Sequence, residues 1–136
     1  MRIDAWRIAI GAVALGGAMN GLWMLADPGH WYEHLPAGVP DTGPLNAHFV
    51  RDIGCAFLTA SVALFWAVRR PELRAPLVAV AAFFYVAHAA LHVHDTARGF
   101  VDNDHWLLDL PGVYLPAILL AAATFRWRAE LRRTSG

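Results

Sequence analysis

The chain contains one cysteine, Cys55. A lone thiol excludes an intrachain disulfide and any zinc or iron–sulfur site built on several cysteines. Charge is also scarce: 16% of the residues are Asp, Glu, Lys or Arg, against roughly 25% in soluble domains. Eleven basic side chains balance eleven acidic ones, so no net charge directs the chain to a nucleic-acid partner. The sequence holds no Gly-x-Ser-x-Gly elbow, phosphate-binding loop, dinucleotide fingerprint or HExxH pair, and no catalytic residue can be assigned from such motifs. Enzymatic activity is left open on these grounds, and any catalysis would fall to a metal or to His and Asp as general acid and base. There is no internal repeat and no low-complexity segment.

What the chain does have is apolar length. Hydrophobic residues make up 57% of its 136 positions, and four runs stand out, at about 6–26, 47–68, 76–94 and 110–127. At about 1.5 Å per residue each can cross a hydrocarbon core of roughly 30 Å. In lipid such runs must be helices, because a helix satisfies its own backbone hydrogen bonds. The sequence therefore predicts an all-α fold: one integral membrane domain over 1–136, a four-helix bundle in a lipid bilayer. Arg2 and Arg7 precede the first run, Arg69, Arg70 and Arg74 separate the second and third, and Arg126, Arg128, Arg132 and Arg133 follow the fourth. Arg98 is the sole basic residue within the other two loops, with Arg51 at the mouth of the second run; both loops are otherwise acidic or polar. The positive-inside rule places both termini and the middle loop in the cytoplasm. The first run also resembles a signal peptide, but it is long for an h-region and lacks a clear small-x-small cleavage site, so retention is expected.

Within the first run, Gly11, Gly16, Gly17 and Gly21 predict close helix packing, and Asn20 predicts an interhelical hydrogen bond in preference to a ligand contact. In the first loop, His30 and His34 stand one helical turn apart and are expected to be solvated. The connector after them, rich in Pro and Gly from Pro36 to Pro44, is expected to lie over the mouth of the bundle as a lid. Thr42 is a candidate N-cap for the second helix. Pro116 is expected to kink the fourth.

The chemistry-bearing residues lie on the second and third runs. His48, Arg51, Asp52 and Cys55 fall at i, i+3, i+4 and i+7, on one helix face. Tyr85, His88, His92 and Asp95 share a face of the third run. Counting from the membrane surface at about 1.5 Å per residue, His48 matches Asp95 in depth, Asp52 matches His92, and Cys55 matches His88. Charge in hydrocarbon costs at least some 2.5 to 3.5 kcal/mol and usually turns toward a bundle interior. The two faces are therefore expected to meet in an outward-facing polar pocket between helices 2 and 3. Imidazole and carboxylate together suit zinc or iron, and the expected metal ligands are His48, Asp52, His88, His92 and Asp95, with Arg51, Cys55, Tyr85 and Asn20 around them. A haem b between facing histidines is an alternative. So is a non-enzymatic carrier or accessory subunit, in which the same residues relay protons or clamp a partner. A homo-oligomer or a larger membrane complex is compatible with each of these, and a hydrogen-bonded helix clamp that binds nothing is the plainest reading.

The block GVPDTGPLNAHFVRDIGCAFL, Gly38 to Leu58, resembles one found in small four-helix bacterial inner-membrane proteins, largely uncharacterised, whose overall shape is DoxX-like. The resemblance implies an inner-membrane location and transfers no catalytic residue.

Overall fold

The computed structural model describes residues 4–134, with side chains for 4–129. Arg2 and the side chains of Arg132 and Arg133, used above for orientation, lie outside the described residues. No strand occurs among those described. Helix α1 spans Ala5–Ala26, α2 Pro28–His34, α3 Ala47–Arg69, α4 Arg74–Ala97, α5 His105–Leu108 and α6 Leu115–Thr134. Four segments are long and apolar enough to cross a membrane: Ala5–Ala26, Ala47–Arg69, Pro71–Ala97 and Leu110–Ala129. These agree with the four expected runs and extend most of them at the ends.

The helix ends follow local chemistry. The Asp4 side chain accepts from Trp6 N and the Asp27 side chain from His30 N, capping α1 and α2. At α3 the cap is Asn46, whose side chain accepts from Phe49 N. Thr42 is not that cap; it sits in a 3-10 turn, Val39–Thr42, and donates to the Val39 carbonyl at 2.7 Å. Asn46 wins because the chain from Gly43 to Leu45 is not helical, so the first orphan N–H groups lie beyond it.

The four long helices pack in chain order, α1 on α3, α3 on α4 and α4 on α6, with a lighter α1–α6 contact closing the ring. The α1–α3 crossing is fixed by two glycines. A Cβ on Gly21 would stand 2.8 Å from the Gly54 carbonyl oxygen, and one on Gly54 would stand 3.0 Å from the Gly21 carbonyl oxygen. Backbone thus rests on backbone, the close approach that small residues allow between membrane helices. This contact also sets the rotation of α3. Val50, Gly54, Phe57, Ser61, Leu64 and Ala67 turn inward, so a face offset by two residues, roughly half a turn, must turn outward.

Asn20 is a clamp, but not between membrane helices. Its Oδ1 accepts from Trp31 Nε1 at 2.8 Å, tying α1 to the short loop helix α2. His30 and His34 are exposed, and their rings stack at 4.1 Å. The turn Leu110–Tyr114 is π-helical, entered from Asp109 and leading directly to α6. It precedes Pro116, and its widened hydrogen bonds accommodate the amide N–H that proline lacks.

Candidate functional site

The polar residues gather at the end of the bundle that carries the 27–46 and 98–109 loops. Asp109, at the start of the π-turn, is 1% exposed, and so is His105 one helical turn before it. Asp109 Oδ2 lies 2.8 Å from His92 Nδ1 on α4 and 3.7 Å from His105 Nδ1. The first is a hydrogen bond. The second is a charge-range approach beyond hydrogen-bonding distance. On the far side of the ring, His105 Nε2 lies 3.5 Å from Asp41 Oδ2, again without hydrogen-bond geometry. His105 Nε2 and Asp109 Oδ1 are buried with no hydrogen-bond partner among the described residues. Buried polar atoms are nearly always paired, so Asp109 Oδ1 and His105 Nε2 are the unsatisfied positions of the cluster.

The connector meets the cluster at Gly38 and Asp41. Gly38 adopts φ +61°, and a Cβ on it would stand 2.8 Å from Asp41 Oδ2 and 3.2 Å from His105 Nε2. Only glycine tolerates both the left-handed backbone and so close an approach. Tyr32 donates from its hydroxyl to the Gly43 carbonyl at 2.8 Å, holding the connector at its other end.

From His92 the cluster continues inward along α4. The His88 and His92 rings meet edge to face at 4.6 Å, and His88 stacks on Phe84 with centroids 6.0 Å apart. The Phe57 ring stands perpendicular to both Phe84 and His88, with centroids 5.2 Å and 5.7 Å away. Beneath lie Tyr85 and Ser61, both buried; a Cβ on Gly17 would stand 2.5 Å from the Tyr85 hydroxyl and 2.7 Å from Ser61 Oγ. Thr96, one turn above His92, donates to the His92 carbonyl at 3.0 Å and secures that turn.

The structure brings together His88, His92 and Tyr85 from the expected set. It does not bring His48, Asp52 or Asp95 to them. His48 and Asp52 pair with each other at 3.5 Å, with side chains 88% and 61% exposed. Cys55 is exposed on the same face. Arg51 directs its Nε to the Leu25 carbonyl at 3.4 Å, and Asp95 pairs with its neighbour His94 at 3.1 Å. Among the described residues no group of three or more His, Cys, Asp or Glu side chains is arranged to hold a metal ion. The expected five-ligand shell is therefore not assembled. The Gly21–Gly54 contact explains this: it commits the opposite face of α3 to the core and turns the 48–52–55 stripe outward.

Asp109, His105 and Asp41 were not among the expected site residues. His105 and Asp109 have i, i+4 spacing, and Asp109 adjoins the fourth apolar run. The depth comparison made for the second and third runs, extended to the fourth, places Asp109 level with Asp95 and one turn from His92.

The fold and this cluster define a class: a four-helix bundle with apolar helices of membrane-spanning length and a His–Asp–His group built on a buried carboxylate. No family model, curated protein or solved structure matches the chain.

Proposed function

We propose that the chain is a multi-pass bacterial inner-membrane protein, with both termini cytoplasmic, whose buried His/Asp cluster is a protonatable relay near the outer face. It serves a non-enzymatic carrier or accessory subunit. The observation that carries this reading is the 2.8 Å His92–Asp109 hydrogen bond beside buried, unpartnered atoms on Asp109 and His105. His and Asp chains inside membranes commonly move protons. The inner end of the chain at Tyr85 and Ser61 gives way to Leu64, Ala67 and Val78, all fully buried. This supports a proton-loading site opening to one side, in preference to a continuous conduit. The arginine distribution supports the orientation.

The test is infrared difference spectroscopy on protein in vesicles after a pH jump applied outside. A carboxyl band should appear in wild type and vanish in Asp109→Asn. Spectra unchanged by Asp109→Asn would refute the relay and leave a structural clamp. Metal analysis of the same sample guards against the rival: a stoichiometric zinc or iron lost in Asp109→Asn would make the cluster a metal centre.

A further inference from the structure

His105 stands between two carboxylates that differ in exposure. Its Nε2 lies 3.5 Å from Oδ2 of Asp41, a side chain 55% exposed, and its Nδ1 lies 3.7 Å from Oδ2 of Asp109, a side chain 1% exposed. The ring itself is buried, and its Nε2 has no hydrogen-bond partner among the described residues. An imidazole so placed has one nitrogen for each acid, and it can take a proton on one while releasing a proton from the other. The backbone holds both acids in place. Asp41 N donates to the Gly38 carbonyl at 3.0 Å, and Asp109 N donates to the His105 carbonyl at 3.1 Å. Because Gly38 has no Cβ, the turn Val39–Thr42 can bring Asp41 down onto the His105 ring.

We propose that Asp41 is the proton port of the cluster: it takes protons from the outer aqueous phase and passes them through His105 to Asp109. The port rests on the cluster being a protonatable relay. The protonated Asp41 carboxyl gives its proton to His105 Nε2, leaving a carboxylate and an imidazolium. The imidazolium then releases its Nδ1 proton to Asp109 Oδ2, leaving a neutral ring protonated on Nε2 and a neutral carboxyl. Unloading retraces these steps, so the ring needs no turn. At rest neither gap is within the reach of about 2.6 to 3.2 Å that proton transfer requires. Passage therefore waits on their closing, and the rate of loading is the sensitive quantity. The other titratable groups that face Asp109 are His92 and His88 on α4 and Tyr114 in the π-turn. His92, with its side chain 24% exposed, is the rival way in.

The test uses full-length protein in vesicles and a pH jump applied outside, with time-resolved infrared spectra following the carboxyl band that Asp109→Asn removes. Asp41→Asn, at an exposed position, should leave the final amplitude of that band unchanged and slow its appearance by about a hundredfold, the low end for a positioned proton-transfer group. Formate added outside should restore most of the rate in Asp41→Asn, and Asp41→Glu should load close to the wild-type rate. Glu33→Gln, which removes an exposed carboxylate from α2 at the same end of the bundle, should load as wild type does. An Asp109 band that appears at the wild-type rate in Asp41→Asn would overturn the port and leave the relay, with entry past His92. Equal slowing in Glu33→Gln, or slowing that formate does not relieve, would reduce Asp41 to surface charge or packing and overturn the port as well. The absence of an Asp109 band in wild type would overturn relay and port together.

Discussion

The His92–Asp109 bond can be tested by the order in which variants lose stability. In His92→Phe the ring is retained but the donor is lost, leaving Asp109 1% exposed with Oδ1 unpartnered and His105 Nδ1 at 3.7 Å. Stranding a buried charge this way costs about 3 to 5 kcal/mol. Asp109→Leu removes the charge and keeps comparable volume. It strands two imidazoles, but the His92 side chain is 24% exposed and is hydrated in part, so the loss is smaller, about 1 to 3 kcal/mol. In the double variant the pair is replaced by apolar groups of similar shape, a change that is often close to neutral. The double variant should therefore be more stable than His92→Phe alone. The assay is reversible denaturation from mixed micelles, followed by tryptophan fluorescence, for all four members of the cycle. Additive losses, with a coupling within about 0.5 kcal/mol, would show that the two residues do not interact as a pair and would refute the cluster.

Two further expectations concern packing and orientation. Gly21→Ala places a methyl 2.8 Å from the Gly54 carbonyl and should destabilise the bundle by about 1 to 3 kcal/mol; Gly11→Ala, with nothing within 4 Å, should stabilise it by up to about 1 kcal/mol; equal effects in the same unfolding assay would contradict the α1–α3 crossing. In a Cys55→Ser background, a membrane-impermeant maleimide applied to intact cells should label Asp102→Cys and spare Glu72→Cys, and the reverse pattern would invert the proposed topology.

The four long helices were legible in the sequence, because hydropathy and backbone satisfaction act locally and accumulate along a run. All four apolar runs became helices of spanning length. His88 and His92 were identified for the same local reason, as ionisable residues in an apolar helix. Their partner was not. The stripe His48, Arg51, Asp52 and Cys55 was conspicuous in one dimension, yet periodicity states only which residues share a face, never which way that face turns. Only the tertiary structure decided that rotation, through the backbone contact of Gly21 with Gly54, which commits Val50, Phe57 and Leu64 to the core and turns the polar stripe outward. The same packing brings the entrance of α6 against α4, so that Asp109, distant in sequence and unremarkable in its loop, becomes the buried carboxylate on which His92 and His105 converge.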